Sequence, residues 1–278
     1  MIRVEKLSYR YPGSEEEVLQ EIELTIPTGQ FCGVVGPNEA GKSTLCYALT
    51  GFIPHFYHGR LTGQVTVGTK NISETPLGEI AGDIGLVFQN PFNQITGSEF
   101  SVSEEVAFGL ENLGLPRSEI EDRVGWALSM MGLQEISDRS PFDLSGGQQQ
   151  RLALASMIAM RPRVLVLDEP TSQLDPSGTR DLFLALQRMV QEREMTVVLV
   201  EHKLEWLARF SDRVLLLSEG RVIADGAPRS VLTSSKLDEI GLQPTRFTRA
   251  AQSARARGAG KTDGDLPITL EQATEIFR

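Results

Sequence analysis

Gly36-Pro37-Asn38-Glu39-Ala40-Gly41-Lys42-Ser43-Thr44 is the stretch on which the reading of this chain turns. It matches a Gly, four free positions, then Gly-Lys-Ser/Thr, the pattern of a backbone loop that wraps a phosphate. Before it stands Phe31-Cys32-Gly33-Val34-Val35, a short apolar run that reads as a buried strand. After it Thr44-Leu45-Cys46-Tyr47-Ala48-Leu49 opens a helix. Glycines let successive N–H groups curl round an anion, and the helix N-terminus adds a favourable dipole. Lys42 is placed to neutralise β- and γ-phosphate charge, and the Ser43 hydroxyl to ligate Mg²⁺. A Gly-rich turn without a ligand is the competing reading, disfavoured by the strand before and the helix after.

Further along, Val164-Leu165-Val166-Leu167-Asp168-Glu169 reads as a buried parallel strand that delivers two carboxylates to its C-terminal edge. Asp168 is the candidate to hold Mg²⁺, and Glu169 to accept the proton of an attacking water. An acidic turn after a strand is the bland alternative; the phosphate loop upstream weighs against it. Between the two, roughly 100 residues after the loop, stands Leu144-Ser145-Gly146-Gly147-Gln148-Gln149-Gln150-Arg151. Taken alone it is a small-residue turn with Ser as N-cap of a helix from about Gln149 to Met160.

That octapeptide resembles the signature sequence of the ATP-binding-cassette superfamily, and the resemblance covers residues 1 to 228. It implies an α/β fold with a RecA-like parallel sheet core, an antiparallel β layer and a helical subdomain at about 90–160. Residues 229–278 then form a small C-terminal extension. It implies further that ATP is bound with Mg²⁺ and hydrolysed between two facing cassettes. Residues Gly36 to Thr44 of one subunit cradle the phosphates, and Ser145, Gly146, Gly147 and Gln148 of the other close the site. Tyr11 takes the place of an adenine-stacking aromatic, with packing under the first sheet as its alternative. Gln89, after Gly85-Leu86-Val87-Phe88, takes that of the γ-phosphate and metal sensor. Asp175, in Ser172-Gln173-Leu174-Asp175, takes that of the loop crossing the dimer interface. His202 follows Thr196-Val197-Val198-Leu199-Val200 and Glu201 as the switch histidine, stabilising the transition state rather than serving as main base. An ordinary surface histidine is the alternative there.

Glu39 departs from the family pattern, which has Gly at that position. A carboxylate pointing inward would oppose a triphosphate, and residues with a β-carbon resist positive φ. The side chain is therefore expected to point outward with nucleotide binding retained, facing the partner's Asp175 loop and tuning closure.

Composition bounds the rest. The chain has 278 residues, 40% hydrophobic, with formal net charge −10, enough for one α/β domain and an appendage. The negative charge disfavours non-specific nucleic-acid binding. No apolar run approaches the roughly 18 residues of a membrane span. Met1-Ile2-Arg3-Val4-Glu5 reads as strand rather than a secretory leader. Cys32 and Cys46 read as reduced core residues. Arg3–Leu7 and Glu21–Ile26 suggest the antiparallel layer, and Gly63–Val67 and Ile84–Phe88 add strands. Helical spacing recurs at Ser103–Leu110 and Ser118–Met131. A helix around 178–193 alternates with the strands, and Arg213–Leu217 and Arg221–Ala224 flank Glu219-Gly220 as a hairpin. Residues 243 to 264, with Arg246, Arg249, Arg255, Arg257 and Lys261, read as a solvated helix plus linker. Thr269 is a candidate cap for a final helix reaching Phe277.

Three segments resemble the ATP-binding subunits of energy-coupling-factor transporters: Ile53–Gly59, Gln89–Ile95 and Glu104–Pro116. This implies integral-membrane partner subunits, a peripheral place on the cytoplasmic face of the membrane, and a vitamin or transition-metal ion as cargo. The second cassette is then a copy or a paired homologue, held in part by residues 229–278. His55 and His58 alone are too few to ligate a metal. A conventional importer ATPase is the rival within transport. A DNA-maintenance ATPase would need a long coiled coil between loop and signature, and no sustained heptads are present.

Overall fold

A computed structural model describes residues 1–193, 195–258 and 264–277. The chain opens with β1 (Ile2–Arg10) and β2 (Leu19–Ile26), paired antiparallel with Ile2 opposite Ile26 and Val4 opposite Leu24. Along β2, Ile22, Leu24 and Ile26 are buried while Glu21, Glu23 and Thr25 are exposed. That is the period of two expected of a sheet with one wet face. After β3 (Phe31–Val35), α1 (Lys42–Thr50) and the single turn α2 (Phe52–His55), strands β4 (Arg60–Val67) and β5 (Lys70–Asn71) return to this sheet. Its order is β2-β1-β4-β5. A short α3 (Leu77–Ile80) leads to β6 (Ile84–Val87), and then the chain turns helical: α4 (Val102–Asn112), α5 (Arg117–Met131) and α6 (Gly146–Ala159).

The remainder alternates, with β7 (Val164–Asp168), α7 (Pro176–Arg193), β8 (Thr196–Val200), α8 (Leu204–Phe210), β9 (Arg213–Ser218) and β10 (Arg221–Gly226). These strands join β3 and β6 in a second sheet of order β10-β9-β3-β8-β7-β6. All its neighbours are parallel except the β9–β10 hairpin. Glu219 (φ 47°) and Gly220 (φ 73°) turn that hairpin in the left-handed region, matching the twist of the strands.

β3, β7 and β8 are buried at every position, because the sheet is covered on both faces. Leu165 and Leu167 of β7 point into the core made with α4 to α8. Val164 and Val166 point the other way, toward α1 and the antiparallel sheet. In the first core Phe183 of α7 stacks between Phe31 (ring centroids 6.1 Å apart) and Trp206 (5.2 Å), contacts worth about 0.5–1.5 kcal/mol each beyond area burial.

Two helices begin earlier than the sequence pattern suggests. α6 starts at Gly146 because Ser145 and Gln148 form a capping box: the Ser145 hydroxyl accepts the Gln148 N–H, and Gln148 Oε1 accepts the Ser145 N–H at 2.9 Å. α7 starts at Pro176, whose ring suits a first helical position.

Among the described residues four further helices follow: α9 (Pro228–Leu232), α10 (Lys236–Glu239), α11 (Arg246–Ala256) and α12 (Leu270–Phe277). Val231, Leu232, Leu237 and Ile268 lie in the same core as α4 to α8, so parts of the segment after residue 228 pack onto that core. The Thr248 hydroxyl donates to the Pro267 carbonyl at 2.7 Å, tying α11 to the approach of α12. Thr269 Oγ1 accepts the Gln272 N–H, as a cap should. Arg246, Arg249 and Arg257 are exposed; Lys261 lies outside the described residues. Among the described residues no helix is long and apolar enough to cross a membrane. Cys32 and Cys46 are buried free thiols, and burial pushes Cys32 up to about 12.

Candidate active site

The phosphate loop runs from the end of β3 to the start of α1, and two of its positions show why the chain bends there. A β-carbon on Gly36 would lie 2.2 Å from the Leu217 carbonyl oxygen, so only glycine permits the approach of β3 to β9. Gly41, at φ 96°, caps α1 in a conformation closed to most residues. Glu39 adopts φ 64° and is exposed, at the expense of a left-handed backbone, and it lines the open cleft together with Lys42 and Ser43.

Lys42 is buried and folded back over the loop, its Nζ donating to the carbonyls of Gly36 (3.0 Å) and Pro37 (2.7 Å). Burial lowers its pKa, while Glu169 and Asp168 pull it the other way. Asp168, at the end of β7, is 3% exposed. Burial holds its pKa above the ordinary carboxylate value against a hydrogen bond from Ser43 and the charges of Lys42 and His202; the charge of Glu169 adds to the rise. Its Oδ1 is buried with no partner among the described residues. An unpartnered carboxylate oxygen beside a serine hydroxyl is the donor set a hard dication takes, so these residues fit Mg²⁺.

Glu169 sits one residue further on, at φ 48°. A left-handed residue with a β-carbon costs about 1–3 kcal/mol and concentrates at functional sites. Here the twist turns the carboxylate out of the strand to meet two other candidates. Gln89 Nε2 donates to Glu169 Oε2 at 2.7 Å, and His202 Nε2 lies 2.6 Å from Glu169 Oε1. Three residues far apart in the chain are thus joined into one group. An open cleft of about 830 Å³ lies over them, lined by Asn38, Glu39, Gly41, Lys42, Ser43, Thr44, Gln89, Glu169 and His202.

Sequence reasoning missed part of this site. Glu16 and Val18, in the turn after β1, also line the cleft, and no local pattern marks them. Tyr11 packs edge-on against Tyr9 at 4.8 Å and bonds Thr44 Oγ1 through its hydroxyl at 3.2 Å. It thus combines the packing alternative with a direct link to the phosphate loop.

The signature residues are elsewhere. Ser145, Gly146, Gly147 and Gln148 do not line the cleft. Their turn packs on the loop after β7, where a β-carbon on Gly147 would meet the Gln173 carbonyl oxygen at 3.1 Å. Ser145 and Gly146 are exposed. Asp175 caps α7 by accepting the Gly178 N–H at 2.7 Å and lies 4.0 Å from Arg151. His55 and His58 bond the carbonyls of Ile72 and Pro54, which gives both a structural role.

The family model described as ABC transporter matches residues 19–172, more than half of the chain. The chain belongs to the ABC transporter family. It is 39% identical over 287 residues to the energy-coupling factor transporter ATP-binding protein EcfA1 of Caldanaerobacter subterraneus, with all of this chain and 98% of that protein aligned. Among solved structures it is similar to cbiO1 of Clostridium perfringens, part of the ABC transporter complex cbiONQ. That match has 31% identity and TM-score 0.74, covering 92% of this chain and 94% of the other. It is also similar to the ATP-binding cassette MJ0796, whose dimer in a post-hydrolysis state holds ADP and Pi. Identity there is 26% and TM-score 0.73, covering 82% of this chain and 99% of the other. The fold is accordingly that of an ABC ATPase domain, and the protein is an ATP hydrolase of the transporter type.

Proposed function

We propose that this cassette is one of two that drive an energy-coupling-factor importer, hydrolysing ATP with Mg²⁺ on the cytoplasmic face of the membrane. Its cargo is a vitamin or transition-metal ion, carried by separate membrane subunits. One observation carries the reading. The cleft gathers Lys42, Ser43, Gln89 and Glu169, yet no residue of Ser145–Gln148 lines it, although that turn opens a capped helix whose N–H groups and dipole suit an anion. Each chain holds half of a reaction centre, and a facing cassette supplies the other half.

On this reading ATP lies over the phosphate loop with Tyr11 against the adenine. Lys42 leaves the carbonyls of Gly36 and Pro37 for the β- and γ-phosphates. Ser43, Asp168 and Gln89 would hold Mg²⁺, which supplies neutralising charge to the phosphate oxygens. Glu169 releases Gln89 to take a water proton at Oε2 as the water attacks the γ-phosphorus and the bond to ADP breaks. His202 keeps Glu169 in place and faces the γ-phosphate. The partner's signature turn closes over the same phosphate, and the repulsion of the products reopens the pair. Phe92 and Phe100, three and eleven residues beyond Gln89, and Phe142 beside Gly97 are exposed apolar groups on the helical side. They suit the membrane partner that receives the motion.

Glu169→Gln provides the test, by sedimentation of the chain alone or with its paired cassette. MgATP should double the assembly's mass. Ser145→Arg should abolish the doubling while ATP still binds. Full turnover by a solitary cassette refutes the reading, and co-purified membrane subunits reveal the branch of transporter.

A further inference from the structure

The end of β8 carries a carboxylate that the reaction above does not use. Glu201 is 3% exposed. Its Oε2 accepts the Thr171 hydroxyl at 2.5 Å, and its Oε1 accepts the backbone N–H groups of His202 (2.9 Å) and Lys203 (3.0 Å). Lys203 Nζ reaches back to the Thr171 carbonyl at 3.4 Å. Thr171 is itself buried, two residues beyond Glu169 on the turn leaving β7. Hydrogen bonds to an ionised acceptor are short and strong, and a buried carboxylate stripped of them is costly.

The register explains how this carboxylate meets the reacting group. Asp168 pairs with Val200 across β7 and β8, so Glu169 and Glu201 leave neighbouring strands side by side. Glu169 turns into the cleft through its left-handed backbone. Glu201 turns into the protein and ties the two strand-end turns together.

We propose that Glu201 is a positioning residue for ATP hydrolysis. By joining Thr171 to the backbone of His202, it holds Glu169 and His202 in the 2.6 Å contact seen between them. The proposal rests on the assignment of Glu169 and His202 to the reaction. It places no demand on ATP binding, since Glu201 does not line the nucleotide cleft. A displacement of about 1 Å between reacting groups costs on the order of 10²-fold in rate.

Steady-state ATP hydrolysis by the full chain in its active assembly tests it. Glu201→Gln sets an N–H₂ against a donor that the carboxylate now accepts. It should lower kcat by about 10²-fold and leave KM for MgATP within about twofold. Thr171→Val, which removes the hydroxyl donor, should fall in the same direction. Thr171→Ser, which keeps that donor, should stay near the parent. In a His202→Ala background, Glu201→Gln should cost less than about twofold more, because both changes break one arrangement.

Parental kcat in Glu201→Gln, a change confined to KM, or full multiplication of the two effects overturns the proposal. Should Glu201→Gln fold poorly, the threonine pair decides: equal rates for Val and Ser refute it, and a loss in Val restored in Ser supports it. Failure of the underlying assignment shows separately, as parental turnover in Glu169→Gln and His202→Ala themselves.

Discussion

Asp168→Asn should make the nucleotide-free protein more stable and at the same time remove the Mg²⁺-dependent part of its stabilisation by ATP. The native carboxylate is 3% exposed and its Oδ1 has no partner among the described residues. A buried polar atom left in that state costs about 1–3 kcal/mol. Asparagine keeps the shape and removes the charge, but its amide still wants partners, so the expected gain is near the lower end, about 1 kcal/mol. For a chain of this size that is a rise of about 2–4 °C in Tm.

The pH dependence has a definite sign. Burial raises the folded pKa of Asp168 above its ordinary value of 3.8, so the native state holds more protons than the unfolded one between those two values. Stability therefore falls as pH rises through that window. The cost of Asp168 is absent below it and complete above it, and the gain from asparagine should be largest near neutral pH. A nucleotide at about 100 times its Kd stabilises the parent by about 2.7 kcal/mol. The variant should lose the metal-dependent part of that.

The assay is thermal unfolding at pH 7.5, in EDTA and then in MgATP, for parent and variant side by side. Should Asp168→Asn melt below the parent in EDTA and keep the full MgATP shift, the assignment of Asp168 as an under-partnered metal ligand is wrong.

Two other outcomes follow from the phosphate loop. Gly36→Ala would set a methyl group 2.2 Å from the Leu217 carbonyl oxygen. A loss of about 1–3 kcal/mol in unfolding free energy is expected, together with weakened ATP binding; an unchanged melting curve would mean that β3 and β9 can part freely. Glu39→Gly removes a left-handed residue with a β-carbon, worth about 1–2 kcal/mol of strain, and a negative charge near the triphosphate. MgATP should bind about two- to fivefold tighter at low ionic strength, with the difference shrinking as salt shortens the screening length. Equal affinity at low salt would show that Glu39 does not act on the nucleotide.

The residues whose chemistry depends on near neighbours in the chain could be read directly. A phosphate loop needs its glycines, lysine and serine within nine positions, a strand before and a helix after, and β3, Gly36–Thr44 and α1 are all visible as such. Likewise the apolar runs of β7 and β8 end in acids, and Ser145 in its small-residue turn announces a capped helix. Contacts closed by distant segments were hidden. That Gln89, Glu169 and His202 meet depends on β6, β7 and β8 lying side by side, an order set by non-local pairing and by helices packed on both faces. Nothing near Glu201 in the sequence tells that it turns inward to Thr171 while Glu169 turns out, because that choice rests on a left-handed φ and on the register of two strands. The chain's own residues determined that it grips a triphosphate. The tertiary structure decided that the signature turn stands away from that grip, since α6 is anchored by the helical core on one side and by Gln173 on the other, out of reach of its own phosphate loop.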